Sequence, residues 1–250
     1  MKFSIIIPAH NEEKFIGGCL ESIRRAAAPY PGDVEIIVVL NRCTDGTERI
    51  AVEAGAKIVH EDAKSLSRIR NAGARQAAGE VLVTIDADSR MAENMLTEID
   101  RALVSGKYIG GGVPIRPDRR STGIVVTLAI LNFFMWVTGL AGGSYWCRRS
   151  DFEALGGFNE KLFMGEDLEF AQRLKRLGKS RRLRFITLPR AHIVTSMRKF
   201  DRFGDWYFLR TVLLQVRRKR LAKWYRGEYQ EEKRRFADKY FYEWEEDKKS

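Results

Sequence analysis

Cysteine is scarce and shows no pattern. Cys19, Cys43 and Cys147 are scattered, odd in number and without metal-site spacing, which argues against a disulfide framework or a zinc site. No G-x-G-x-x-G turn and no lysine-bearing Walker loop is present, which argues against dinucleotide dehydrogenases and P-loop enzymes. Met1 to Pro8 holds too short an apolar stretch for a secretory signal and no small-residue cleavage site. It reads as a first strand, and the chain is expected in a reducing, cytoplasmic setting. Acidic residues are in deficit: 33 Asp and Glu face 44 Lys and Arg, for a net charge of +11. Such an excess calls for an anionic partner, and nucleic acid, lipid head groups and phosphorylated substrates all qualify. From Ser121 to Cys147 there is no charge at all. That length permits a transmembrane helix, but Thr127, Asn132, Thr138 and the glycines between Gly139 and Gly143 weaken one. A single span would also part the acidic residues on its two sides, so a buried or interfacial helix is expected. With 44% hydrophobic residues in 250, wholesale disorder is excluded and one good core with an appended segment is within reach.

What is present alternates between two periods. Phe3 to Ile7 is a continuous apolar strand stopped by Pro8, and Asn11-Glu12-Glu13 opens a helix carrying Phe15, Ile16, Leu20 and Ile23 and ending near Pro29. Val34 to Leu40 is a second buried strand. Thr44-Asp45-Gly46-Thr47 turns into a helix through Ala54, and Lys57 to His60 is a short strand. Ser67 to Ala78 reads as a helix capped by Gly79, followed by a strand up to Asp86, a helix over Ala92 to Leu103 and a strand over Tyr108 to Val113. Leu168 to Leu177 is an amphipathic helix with Gly178 just past its end. Strands alternating with helices imply parallel βαβ units, hence an α/β fold with a Rossmann-like, mostly parallel sheet. Ligands bind such sheets outside the carboxyl ends of the strands. Pro8-Ala9-His10-Asn11, Asn41, Asp45 and Asp86-Ala87-Asp88 all fall there, so residues 1–113 read as a nucleotide-binding half.

The run Val81-Leu82-Val83-Thr84-Ile85 ends directly in Asp86-Ala87-Asp88. Two carboxylates at the end of a buried strand repel each other and are costly to desolvate. A divalent cation, Mg²⁺ or Mn²⁺, removes both problems and can hold two phosphate oxygens of a substrate. A polar turn with Asp88 or Ser89 capping the next helix is the plainer alternative. Gly165-Glu166-Asp167 opens the later helix, where peptide dipoles favour negative charge; a simple N-terminal cap would also explain it.

Taken in order, Ser4 to Glu13, Thr44 to Thr47, Arg70-Asn71-x-Gly73-Ala74, Gly79-Glu80-x5-Asp86-Ala87-Asp88, Gly156-Gly157-Phe158-Asn159-Glu160 and Gly165-Glu166-Asp167 resemble a family 2 glycosyltransferase of GT-A fold, over about residues 3–180. The resemblance implies a nucleotide-diphosphate-sugar donor, a divalent cation and inversion at the anomeric carbon. It implies a transferase domain over 1–195, with 114–195 as its acceptor and catalytic half. Residue by residue, it implies Asp167 as catalytic base, Glu166 and Gly143 on the acceptor side, and Pro8, Ala9, Glu12, Asn41, Asp45, Arg70, Asp86 and Ala87 around the donor. Asp86 and Asp88 would hold the metal, with His192, after Pro189-Arg190-Ala191, as a third ligand. Where many members carry an aspartate pair after the second strand, this chain has Asn41-Arg42-Cys43, which leaves the base open. The Gln-x-x-Arg-Trp motif of processive polymer synthases is absent, and Gln215-Val216-Arg217-Arg218 lacks its tryptophan, so a single-addition transferase is expected.

From Arg198 the chain turns basic and aromatic, through Arg202, Phe203, Trp206 and Arg210 to Arg217-Arg218-Lys219-Arg220, Lys223, Trp224 and Tyr225. Residues 196–250 read as a basic amphipathic helical extension suited to a lipid head-group surface and a lipid-linked or glycan acceptor. A solvated helix face is the plainer reading; no nucleic-acid recognition motif is present. Two other functions stay open on the sequence alone. One is a non-catalytic nucleotide-sugar-binding relative, which would not need Asp167. The other is a nucleotidyltransferase, which usually carries a glycine-rich, lysine-bearing loop that Pro8-Ala9-His10-Asn11 does not supply.

Overall fold

The computed structural model describes residues 1–138, 143–162 and 165–206. The chain runs β1 (Phe3–Ala9), α1 (Ile16–Ala27), β2 (Val34–Leu40), α2 (Thr47–Glu53), β3 (Lys57–His60), α3 (Leu66–Arg75), β4 (Val81–Thr84), β5 (Ser89–Met91) and α4 (Met95–Val104). It continues with β6 (Tyr108–Val113), β7 (Ile115–Pro117), α5 (Thr122–Thr138), β8 (Ser144–Arg148), α6 (Arg149–Ala154), α7 (Glu166–Ser180), β9 (Arg184–Thr187), β10 (Ile193–Thr195) and α8 (Arg198–Phe203). It divides into two compact units, Met1–Arg116 with Met135–Thr195, and Pro117–Phe134 with Ser196–Ser250.

In the first unit seven strands form a sheet in the order β3-β2-β1-β4-β8-β6-β9, in which only β8 runs against its neighbours. The apolar runs are continuous because both faces are covered. Phe3, Ile5, Ile7, Val38, Leu40 and Val83 face one core. Ile6, Ile37, Val39 and Leu82, one residue out of phase, face the other. From β1 the chain moves outward through β2 and β3, then returns to place β4 on the other side of β1. That reversal opens the crevice at which α/β sheets bind ligands, and Asp86 follows β4 into it.

Several elements depart from the sequence expectation. The chain does not enter a helix after Asp88: β5 pairs antiparallel with β10, and these two form a second sheet with β7. The helix expected from Ala92 starts at Met95. Gly178 does not end α7, which continues to Ser180. A Cβ there would lie 2.8 Å from Ile109 Cγ2, so the glycine admits the helix close to β6 rather than stopping it. The uncharged stretch is split: α5 takes its first part, and its last residues form β8 in the middle of the large sheet. Among the described residues no helix is long and apolar enough to cross a membrane.

In the second unit Arg119 forms ion pairs with Asp201 and with Asp205, the latter at 3.0 Å, and the Asp118 carboxylate accepts the Met197 N–H at 2.9 Å. Residues 117–134 thus group with the segment that starts at Ser196, although the reading of 114–195 as one half put them elsewhere. The Gln215 and Arg217–Tyr225 features lie outside the described residues.

Candidate active site

α3 organises the site. Ser65 caps it by accepting the Arg68 N–H, and Arg70, Asn71 and Gly73 then face three different tasks. Gly73 rests against the sheet, where a Cβ would come within 2.6 Å of Ile6 Cγ2 and 2.8 Å of Val39 Cγ2. Asn71 accepts the Phe158 N–H at 2.9 Å and donates to the Phe158 carbonyl and to Glu160 Oε1, fixing the Gly-Gly-Phe-Asn-Glu loop. Arg70 sits over the Phe158 ring and reaches two carboxylates: Nη1 donates to Glu166 Oε1 at 2.9 Å and Nη2 to Asp86 Oδ1 at 3.1 Å. The Arg70 and Glu166 side chains are 9% and 8% exposed, whereas Asp86 is 47% exposed. Burial weakens the charged form of Arg70, but Asp86, Glu166 and Asp167 outweigh it and hold the guanidinium pKa above its usual value. Arg70 thereby ties the end of β4 to the start of α7. It was expected on the donor phosphates; the structure places it on carboxylates.

Burial alternates through the acidic pair. Ile85, Ala87 and Ser89 point inward, and Asp86 and Asp88 are half-exposed between them. The Ala87 methyl belongs to the core, which leaves its backbone to face the donor side. Beneath the pair lies Cys19, whose thiol pKa is pushed up by burial and then by the negative charges of Asp88, Asp86 and Glu12. Three carboxylates therefore load one small region with negative charge, and hard oxygen donors on one side of a turn suit Mn²⁺ or Mg²⁺. His192 does not join them. It precedes β10, whose Thr195 pairs with Ser89 while the His192 carbonyl accepts the Ala92 N–H at the far end. There its ring lies 3.3 Å from Arg116, and burial and that cation lower its pKa. Among the described residues no group of three or more His, Cys, Asp or Glu side chains could hold a metal. A cation would rest on the pair and on phosphate oxygens of the substrate.

Gly165 adopts the left-handed conformation (φ 75°) and starts α7, which sets Glu166 and Asp167 in its first turn. Burial raises the Glu166 carboxyl pKa, Arg70 pulls it back and Asp167 adds to the rise. Asp167 is half-buried, and its Oδ1 accepts the Leu168 N–H at 2.7 Å. Beside them stands Tyr145 of β8, packed against Leu168 and Ala171. Burial, then the charge of Asp167, raise its phenol pKa, so it stays a neutral hydroxyl. Sequence reading missed Tyr145, which sits in an uncharged run with no motif around it.

On the donor side the polar residues are turned to internal work. Asn41 is fully buried, and its amide donates to the carbonyls of Glu61 (2.5 Å) and Ala63 (3.0 Å). Asp45 accepts the Thr47 N–H and hydroxyl and the Glu13 N–H. Burial alone would raise its pKa; these hydrogen bonds hold it below its usual value. Ala9 receives the Asn41 N–H on its carbonyl, and the Glu12 N–H bonds to the Thr47 hydroxyl. Gly143 was expected on the acceptor side. A Cβ there would meet Ile115 at 2.6 Å and the Val113 carbonyl at 2.9 Å, so its bareness serves packing.

Comparison with known proteins bears on the family and the fold. The family model for glycosyl transferase family 2 matches residues 4–153. The chain belongs to that family. EpsH of Bacillus subtilis is 32% identical over 90 residues, 34% of this chain and 25% of that protein. The Staphylococcus aureus TarS 1–349 structure in complex with UDP-GlcNAc superposes with a TM-score of 0.60 at 19% identity, over 79% of this chain and 59% of that one. The mannosyltransferase PcManGT from Pyrobaculum calidifontis, in complex with GDP-Man and Mn²⁺, gives 0.61 at 23% identity over 77% and 56%. The fold of this chain is the GT-A fold of those structures, and the chain spans a quarter to three-fifths of the length of these three proteins.

Proposed function

We propose that this chain is a metal-dependent, inverting, non-processive glycosyltransferase. It would move a sugar from a nucleotide-diphosphate-sugar donor to a hydroxyl of a lipid-linked or glycan acceptor at a membrane surface. The observation that carries the reading is the Arg70 bridge, which makes Asp86 and the Glu166-Asp167 turn parts of one site although they lie far apart in the sequence motif set. The neighbours solved in complex with UDP-GlcNAc and with GDP-Man and Mn²⁺ support the donor class and the cation.

Asp86 and Asp88 would hold the cation, which when bound neutralises the charge developing on the departing nucleoside diphosphate. Asp167 takes the proton of the acceptor hydroxyl as its oxygen attacks the anomeric carbon, and the electron pair of the breaking C–O bond leaves with the diphosphate. Attack opposite the leaving group inverts the anomeric configuration. Arg70 keeps Asp86 and Glu166 in place, Glu166 anchors the first turn of α7, and Tyr145 walls the acid pair from the core. Asn41, Asp45 and the Ala9 carbonyl shape the loops around the nucleoside rather than contact it. Thermal stabilisation by nucleotide diphosphates with and without Mn²⁺ tests the donor and metal assignments. Asp167→Asn should keep that stabilisation and lower turnover by about 10²–10⁴-fold. Undiminished turnover would remove Asp167 from the role of base.

A further inference from the structure

An uncharged helix should bury its apolar side chains, and on one side α5 does the reverse. Val125, Val126, Ala129, Ile130 and Phe133 recur at the spacing of a single helical face, and all are exposed, Val125 by 51%, Ile130 by 50% and Phe133 by 65%. Ile124 and Thr127, on the other side, are fully buried. At the N-terminal end of this stripe Asp205 packs on Gly123, where a Cβ would lie 2.7 Å from the Asp205 Cβ. The ion pairs of Arg119 with Asp201 and Asp205 hold α8 there as well. Trp206, 49% exposed, and the exposed Arg120 and Arg202 therefore cluster where the apolar stripe begins.

The charge on either side of Trp206 is mostly of one sign. Residues 198–226 carry ten Lys or Arg against two Asp, and between Trp206 and Gly227 there is no acidic residue. Residues 121–147 hold no charge that could answer them. A second copy on this face would set two such basic segments together, their acidic runs lying beyond Gly227. A nucleic acid would meet the cations and leave the apolar stripe in water. One partner satisfies both features, since a stripe of aliphatic and aromatic side chains edged by Trp and Arg is the composition of a helix lying in a lipid interface.

We propose that the exposed face of α5, with Trp206 at its start, beds into the head-group boundary of an anionic phospholipid bilayer, lying on it and not crossing it. This specifies the membrane-surface part of the function proposed above and rests on neither the donor nor the base assignment. The test floats the purified full chain with phosphatidylcholine vesicles, with and without phosphatidylglycerol. Binding should require the anionic lipid, weaken with salt, and fall about tenfold or more in Val125→Glu/Ile130→Glu. Both positions are exposed, and melting in the absence of lipid should be unaltered. As an independent measurement, Phe133→Trp should add quenching by brominated lipid over the wild-type tryptophans. Flotation unchanged by the double substitution, absence of binding to anionic vesicles, or no added quenching would each overturn the proposal. So would a dimer in sedimentation velocity that the double variant dissociates. Vesicle binding that persists without any nucleotide stabilisation would sink the transferase reading and sustain this one.

Discussion

Replacing Arg70 with methionine leaves two carboxylates facing a thioether, and they differ in what they can do about it. Asp86 is half-exposed, so water replaces its lost partner at a cost of about 0–1 kcal/mol. Glu166 is 8% exposed and has no such recourse. Removing one member of a buried pair costs about 3–5 kcal/mol. Glu166 can escape only by taking up a proton. Its folded-state pKa already lies above the ordinary 4.5 because of burial, and Arg70 is the cation that restrains the rise. A raised folded-state pKa means that the folded protein holds the proton more tightly than the unfolded chain, so stability falls as pH climbs past 4.5 towards the folded value. Arg70→Met should therefore be mild near pH 4.5 and show its full cost at about pH 8. Urea denaturation followed by circular dichroism at both pH values measures this in wild type, Arg70→Met, Glu166→Gln and the double variant. The double variant should recover about 2 kcal/mol or more of the Arg70→Met loss, because no charge is left stranded. A loss below about 1 kcal/mol at the higher pH, or a double variant no more stable than Arg70→Met, would refute the reasoning.

Other outcomes rest on single contacts. Gly111→Ala would drive a Cβ into the Ile186 carbonyl oxygen, a backbone atom held in β9, and should cost about 1–3 kcal/mol or more in thermal unfolding; an unchanged midpoint would refute the β6–β9 register. Asp88→Ala should abolish the Mn²⁺-dependent part of nucleotide stabilisation while changing metal-free stability by only about 0.5 kcal/mol; retained metal dependence would move the cation elsewhere. Asp45, held below its ordinary 3.8 by its hydrogen bonds, contributes stability that is present above that value and lost as pH falls through the folded one. Asp45→Asn should accordingly flatten the acid end of the stability profile, and a profile as steep as wild type would show that those bonds carry no weight.

What the sequence revealed and what it hid divides along chain separation. β1 and β4 stand out because strands covered on both faces are near-continuous apolar runs, and the Asp86 pair stands out because such a run has no local reason to end in two carboxylates. β8 is hidden because Ser-Tyr-Trp-Cys-Arg continues the uncharged stretch that begins in α5, and only its pairing with β4 and β6 separates them. β5 and β10 are three residues each and exist through one another. Among the site residues, the loop-tying contacts of Asn41 are hidden because a polar residue at a strand end looks the same whether it meets a ligand or ties a loop. The deciding carbonyls, those of Glu61 and Ala63, lie 20 and 22 residues away. The Arg70 bridge is hidden for the same reason at longer range, its partner Glu166 being 96 residues distant. That bridge has a chemical consequence. With the guanidinium bonded to Asp86 and Glu166, the proposed reaction would meet the charge growing on a departing diphosphate with a cation held at Asp86 and Asp88. A structural Arg70 and a metal-dependent donor site therefore support each other, and metal-free binding of the nucleotide as tight as metal-loaded binding would undo that link.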